Sequence, residues 1–235
     1  VPSPSQVNKA GSVLRKWFRG ELDTEMDEHG VYFIDGRVLT AYDTLIEWRA
    51  MHSRPLVKAN NGLRSMVKTE GCVVEVSQRL KRVPTIFNKL KREPTLALSR
   101  MQDIGGCRAV LESIAEIRRV QERLCQRRPP LAVSDYVTNR RDSGYRGVHV
   151  VVEYDGRAIE IQLRTRVMHE WAITVERLAS RTDTFLKGDG DHPIQRLMKV
   201  IAEAMEIEET GGTVDDALFV EVARLRGVAR PYLTN

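Results

Sequence analysis

The sequence predicts an α/β (α+β) fold, a mixed and partly antiparallel sheet flanked by helices, and three observations carry that prediction. A β-branched run at Val73, Val74 and Val76 opens a region of short apolar strands. Two further strands, Tyr145 to Tyr154 and Arg157 to Arg164, are joined by Asp155-Gly156, the pair favoured in a two-residue type I′ hairpin. On both sides of this region apolar residues recur at helical spacing.

The elements follow in order. Ser3, Pro4 and Gln6 form a capped start, and Val7, Ala10, Leu14, Trp17 and Phe18 recur as the apolar stripe of a first helix. A second stripe, Leu39, Tyr42, Leu45, Ile46 and Met51, ends before Pro55, and a short third helix is expected from about Leu56 to Lys68. Beyond the strand that leads into Arg79 and Lys81, Pro84 opens a helix to about Arg92. Another strand runs from about Asp103 to Leu111, and Ser113 with Glu116 starts a helix that Pro129 and Pro130 stop. After the hairpin, helices are expected through Val167, Trp171, Val175 and Leu178, after Pro193, and from about Val214 to Arg226, with Gly188 to Asp191 as a loop. Three stretches result: a helical accessory segment at 1–70, a core at 71–182, and C-terminal helices at 183–235 packed on it.

The chain has 235 residues, enough for one large domain and short for two independent cores. No apolar run reaches the length needed to cross a bilayer, so no membrane partner is expected. Cys72, Cys107 and Cys125 are odd in number and lack C-x-x-C spacing, which indicates neither a disulfide frame nor a zinc site and fits a reducing compartment. The net charge of +5 suits polyanionic ligands such as nucleotide phosphates or RNA, and serves solubility equally well. The chain begins with Val1 rather than Met, as a processed product or a piece of a longer protein would.

Strand alternation puts Glu160, Gln162 and Arg164 on one face of the second hairpin strand and Ile159, Ile161 and Leu163 on the other. With Asp155-Gly156 as the tight turn, His149 faces Gln162 and Val151 faces Glu160. The resulting patch of His149, Glu160, Gln162 and Arg164 is either an organised site or a solvated face. Arg79 and Lys81 share a strand face, and Thr85 and Lys89 lie one helical turn apart just beyond. Three cations and a hydroxyl are then expected to converge near a helix start at Pro84 and Thr85, whose N–H groups and dipole would add to an anion site suited to a triphosphate; alternatively this is simply a basic surface. Asp103 precedes Gly105 and Gly106, glycines that cost a strand stability unless something approaches the backbone closely. Asp103 and Glu160 on neighbouring strands would suffice for Mg2+, which takes carboxylates together with substrate phosphates; alternatively Asp103 is a turn residue.

The series Arg79-x-Lys81-x-x-x-Thr85-Ile86-x-x-Lys89, Asp103-x-x-x-x-Arg108, Asp135-Tyr136 leading to Gly144-Tyr145-x-x-x-His149, and Glu160-x-Gln162-x-Arg164-Thr165 resembles the ordered motifs of RelA/SpoT synthetase domains, whose fold is nucleotidyltransferase-like. The resemblance covers about residues 72 to 178, and Met168-x-x-Trp171-Ala172 with Glu176 is similar to the small, stand-alone alarmone synthetases. No His-Asp dipeptide occurs, so the hydrolase domain of the long bifunctional members is not expected.

The resemblance implies a pyrophosphokinase that moves pyrophosphate from ATP to the ribose 3′-hydroxyl of an acceptor purine nucleotide, making (p)ppApp or (p)ppGpp alarmones. It implies that Arg79, Lys81, Thr85 and Lys89 hold ATP, that Asp103 and Glu160 bind magnesium, and that Tyr145 stacks on the acceptor base beside Arg141 and Ser143. Arg108, His149, Gln162 and Arg164 line the site. Two departures bear on the acceptor: Arg140-Arg141-Asp142-Ser143 stands where the family commonly has Pro-Lys-x-Asn, and Arg177 follows Glu176 where His is usual. They weaken the transfer of guanine specificity; the altered loop and the missing start methionine together point toward adenosine nucleotides, narrowly ahead of a conventional guanosine alarmone enzyme, and toward a toxic effector acting in the cytoplasm, delivered within a longer secreted protein and countered by an antitoxin or immunity protein. Two other readings stay open. One is a toxin acting on the 3′ end of tRNA, with Arg119, Arg123 and Arg127 as a phosphate-tracking stripe; the other is an inactive nucleotide- or RNA-binding module.

Overall fold

The computed structural model describes residues 1–22, 24–26, 32–182, 186 and 190–233. Helix α1 (Pro4–Phe18) starts at the expected cap: the Gln6 N–H donates to the Ser3 hydroxyl, and the Ser3 N–H donates to the Gln6 side chain. Two short strands that the sequence does not announce, β1 (Thr24–Met26) and β2 (Tyr32–Ile34), pair antiparallel. Helix α2 (Gly36–Ala50) buries Val38, Ala41, Leu45 and Trp48, whereas Leu39, Tyr42 and Ile46 of the expected stripe are exposed. Both sets follow helical spacing, so periodicity alone cannot choose between them. The small Ala41 and the large apolar area of Trp48 favour the face that is used. With α1 and α4 (Val83–Arg92), this face closes an N-terminal cluster around Leu14, Leu45, Ile86, Leu90 and Ile104.

Helix α3 (Ser53–Thr69) does not belong to that layer. Its Leu56, Ala59, Leu63 and Val67 are buried in the central core, so a boundary near residue 70 cuts through one continuous apolar cluster. The core lies against a five-stranded sheet built from β3 (Glu75–Leu80), β4 (Gly105–Leu111), β5 (Ala132–Asp135), β6 (Val148–Tyr154) and β7 (Arg157–Thr165). The spatial order is β3-β4-β7-β6-β5, with β4 and β7 parallel and every other neighbouring pair antiparallel. Asp155 and Gly156 both take positive φ (50° and 71°), as a type I′ turn requires, and the hairpin register pairs His149 with Gln162 and Val151 with Glu160. That register is the expected one. The strand β5 is not foreseen, and β3 and β6 begin later than their apolar runs, at Glu75 and Val148.

On one face of the sheet Cys107, Ala109, Ile159, Ile161, Leu163, Val148 and Val150 meet α3 and α5 (Ile114–Arg127). Gly105 serves this side: a Cβ there would lie 2.6 Å from Ile159 Cδ1, so packing explains the glycine. Beyond β7, α6 (Arg166–Thr182), α7 (Pro193–Glu209) and α8 (Asp216–Leu233) build a third cluster around Trp171, Val175, Ile194 and Met198. Helix α8 continues past the expected Arg226. Gly190 and Asp191 are non-helical, while Gly188 of the expected loop lies outside the described residues. Among the described residues no helix is long and apolar enough to cross a membrane.

Candidate active site

The second face of the sheet carries the predicted residues in rows across the strands. Arg79, Gly106, Glu160 and Val151 are register partners in one row; Ser77, Arg108, Gln162, His149 and Ser134 form the next. A Cβ on Gly106 would meet only the Glu160 carbonyl oxygen, at 3.7 Å, so this glycine keeps the floor between Arg79 and Glu160 low.

Asp103 sits in the turn before β4, not within the strand. Its two carboxylate oxygens are taken by two ammonium groups, Lys81 Nζ at 2.7 Å and Lys89 Nζ at 3.1 Å. Lys81 follows the last residue of β3 and still donates its N–H to the Ile104 carbonyl at 2.7 Å, while Lys89 rises from the second turn of α4. Burial pushes the Asp103 carboxyl up, but the two ammoniums outweigh it and hold it below the usual carboxylate range. Arg79 is exposed and makes no ion pair among the described residues, so two cations converge here rather than three. The start of α4 also differs from expectation. Pro84 has no N–H, and the Thr85 N–H is spent on the Arg82 carbonyl at 2.9 Å, which leaves the cationic side chains to attract an anion.

Glu160, His149, Tyr145, Arg164 and Gln162 close a ring of hydrogen bonds. Gln162 Nε2 donates to Glu160 Oε2 at 2.6 Å, and Arg164 donates to Gln162 Oε1 at 2.9 Å and to the Tyr145 hydroxyl at 2.9 Å. The Tyr145 hydroxyl meets His149 Nε2 at 2.5 Å, and His149 Nδ1 meets Glu160 Oε1 at 3.0 Å. One assignment satisfies every group with a neutral imidazole: Nδ1–H donates to Glu160, and Nε2 accepts the phenol proton. Burial raises the Tyr145 hydroxyl, which keeps that proton in place. Burial also pushes Glu160 up, but the hydrogen bonds from His149 and Gln162, joined by the His149 charge when that ring is protonated, outweigh it and keep the carboxyl below its ordinary value. The Asp103 charge counts among the influences raising Glu160, so the two anions lie within electrostatic reach of each other. Their oxygens are ionised, hard donors, and they fit a divalent cation of the Mg2+ kind.

Arg108 is half-buried, its Nε has no hydrogen-bond partner, and burial followed by the Arg164 charge lowers its pKa. Arg141 is exposed and stacks its guanidinium 4.2 Å from the centre of the Tyr136 ring. Tyr136 stands edge-on to both Tyr145 and His149, a neighbour to which the sequence reading gave no role. Ser143 departs most from expectation: it is buried, and its hydroxyl has no partner. Gly144 beside it is pressed on α7, where a Cβ would lie 2.7 Å from Ala202 Cβ, so the loop turns Ser143 into packing. The arginine stripe on α5 is largely spent as well. Arg119 and Arg123 both pair with Glu70, Arg123 at 3.1 Å, and so tie α5 to the end of α3. A separate cleft of about 550 Å³ between Trp48, Gln102 and Arg157 holds none of the predicted site residues.

Residues 78–178 match the model of the region found in RelA / SpoT proteins, a span that holds both carboxylates, both lysines and the whole ring. The chain thus carries a region similar to that of RelA/SpoT proteins. The GTP pyrophosphokinase YjbM of Bacillus subtilis is 35% identical over 113 residues, which are 43% of this chain and 53% of that protein. The GTP pyrophosphokinase of Escherichia coli is 28% identical over 155 residues, 64% of this chain and 21% of that one. The match thus spans about half of the first relative and about a fifth of the second. The structure of a GTP pyrophosphokinase family protein from Streptococcus pneumoniae superposes with a TM-score of 0.57 at 28% identity, covering 75% of this chain and 97% of that one. The RelA/SpoT region here begins inside β3 and ends inside α6, so α7 and α8 lie beyond it.

Proposed function

We propose that the chain is an alarmone synthetase that transfers pyrophosphate from ATP to the ribose 3′-hydroxyl of a purine nucleotide. The observation that carries this reading is the pair of ionised carboxylates, Asp103 and Glu160, set between the Lys81–Lys89 pair and the Glu160–Arg164 ring. The Tyr145 hydroxyl that faces His149 is kept protonated by burial and held by Arg164, which leaves a centre that acts through fixed charges. It suits a reaction in which positioning and neutralisation of phosphate charge do the work.

In this reading the acceptor 3′-oxygen attacks the β-phosphorus of ATP, the bond from that phosphorus to the bridging oxygen of the α-phosphate breaks, and AMP leaves. Lys81 and Lys89 exchange Asp103 for phosphate oxygens when ATP enters. Asp103 and Glu160 would hold Mg2+, which offsets the charge of the transferring group. Glu160, ionised and fixed by His149 and Gln162, takes the proton of the 3′-hydroxyl. Tyr145 presents its ring to the acceptor base while its hydroxyl stays anchored to His149 and Arg164.

For the acceptor, the names of the two relatives favour a guanosine nucleotide. The case for adenosine rested on Ser143 facing the base, and the buried place of that residue weakens it. The test is incubation with γ-labelled ATP and, in separate reactions, GDP, GTP, ADP and deacylated tRNA. Label on the 3′ position of GDP or GTP is the expected result. Label on ADP or tRNA alone would replace the acceptor while keeping the chemistry, and label only in inorganic phosphate would overturn the synthetase reading.

A further inference from the structure

We propose that Arg146, gripped by Glu206 and Glu209 of α7, is a positioning residue that sets the loop of residues 140–147 for the acceptor nucleotide. Acceptor affinity is then governed from a helix outside the RelA/SpoT region. The inference rests on the proposed reading of Tyr145 as the acceptor-side ring.

The loop between β5 and β6 is short of internal support. The Gly144 N–H donates to the Arg141 carbonyl at 2.8 Å, the Arg141 N–H donates to the Tyr145 carbonyl at 3.3 Å, and the Tyr136 N–H donates to the Gly147 carbonyl at 2.9 Å. Its further ties run through Tyr145 to His149 and Arg164 on the sheet, and through Arg140 and Arg146 to α7. Arg146 Nη1 donates to Glu209 Oε2 at 2.5 Å, and these side chains are only 5% and 9% exposed. Arg146 Nε is 3.5 Å from Glu206 Oε1 but makes no hydrogen bond, so Glu209 carries most of the pairing. Arg140 Nη1 donates to the other oxygen of Glu206 at 2.9 Å. The Thr165 hydroxyl at the end of β7 donates to Glu209 Oε1, which locks the carboxylate to the sheet as well as to the loop.

These contacts bear on the site because Arg146 is flanked by two residues that meet the ring of hydrogen bonds. Tyr145 supplies the hydroxyl shared by His149 and Arg164. Gly147, with φ of 149°, lies so close that a Cβ there would be 3.2 Å from that hydroxyl and from Arg164 Cγ. While Tyr145 turns to the site, Arg146 turns to α7. A shift of the guanidinium therefore swings the tyrosine. Lys81, Lys89 and Asp103 belong to other elements and pair with one another rather than with Glu206 or Glu209. The two nucleotides should respond differently.

The test uses the full chain with Glu209→Gln, Arg146→Lys and, as a control with the same charge change on the exposed face of α7, Glu203→Gln. Equilibrium dialysis gives the Kd of GDP, of ADP and of a non-hydrolysable ATP analogue, and steady-state assays give the KM for each substrate. Glu209→Gln keeps the volume and one acceptor oxygen, so the fold should survive. A rise of about fivefold to tenfold in acceptor Kd and KM is expected, part of the worth of one charge-assisted hydrogen bond because Gln keeps one acceptor oxygen, with the ATP values within about twofold and the control unchanged. Equal losses for both nucleotides, or a lower Tm with acceptor binding untouched, would overturn the inference and leave the synthetase reading intact. A wild-type chain that binds the ATP analogue but neither GDP nor ADP would instead overturn the acceptor reading, and this inference with it.

Discussion

Asp103 and Glu160 are each held by partners that a substrate complex must compete with, and this sets what their removal does. Asp103→Asn keeps the shape but releases both lysines from a charge, and Glu160→Gln strips the proposed proton acceptor. Each should lower transfer of labelled pyrophosphate by at least about a hundredfold, the scale of losing one fixed electrostatic contact in an active site, with the circular dichroism spectrum unchanged. Turnover near wild type in either variant would remove the carboxylates from the chemistry. Tyr145 is the residue whose role the sequence conveyed least fully. A ring used only for stacking would tolerate loss of its hydroxyl, but here that oxygen accepts from Arg164 and faces His149. Tyr145→Phe leaves the buried Arg164 one acceptor short, and kcat should fall about tenfold or more, the cost of an unmet buried partner. Full activity of Tyr145→Phe would show the ring of hydrogen bonds to be idle.

The hairpin register was legible because one turn fixes it: Asp155-Gly156 dictates that His149 opposes Gln162, and the strand period does the rest. The α2 face was not legible, since two stripes of similar spacing compete and the neighbour that decides, α1, enters only with the tertiary fold. β5 escaped notice for a related reason. Four residues with an exposed Val133 carry little apolar signal; the strand is defined by its pairing with β6 and anchored at its end by Asp135. That carboxylate accepts from Arg118 of α5 at 2.6 Å and from the Val137 and Thr138 N–H groups. Burial pushes its pKa up, but Arg118 and Thr138 outweigh this and the net shift is downward. A depressed folded-state pKa means stability that is present above the unfolded value of about 3.9 and lost as pH falls through the lower folded value. Asp135→Asn should therefore cost about 0.5–1 kcal/mol at pH 7, solvent screening of this part-exposed pair keeping the loss small, read as a denaturant midpoint at constant slope. The gap to wild type should close toward pH 2. A deficit that persists unchanged at pH 2 would show the loss to be one of shape rather than charge.

Across the whole molecule, the candidate site lies where three apolar clusters meet, and this arrangement is invisible in any one segment. Ile86, Leu90 and Ile104 of the N-terminal cluster set the Lys89 and Asp103 backbone; Ile159 and Ile161 of the central core set Glu160; Tyr145 packs with Trp171 in the C-terminal cluster. The motif residues could be named from the sequence, but Arg146, Glu206 and Glu209 could not. Arg146 lies 63 residues before Glu209 and is joined to the two glutamates by contact alone. The same arrangement predicts how ligands couple to stability. Without ligands, Asp103 neutralises Lys81 and Lys89, so a metal ion alone must pull the carboxylate from two ammoniums, and ATP alone must pull the ammoniums from a carboxylate. Supplied together, each releases the partner that the other needs. Mg2+ and a non-hydrolysable ATP analogue should then raise Tm by more than the sum of their separate shifts, because each tightens the other's Kd and stabilisation grows with ligand concentration over Kd. In Asp103→Asn the lysines are already free of a charge, and the excess should vanish while the analogue alone binds at least as well as to wild type. Additive shifts in the wild-type chain would mean that the exchange of partners around Asp103 does not accompany nucleotide binding.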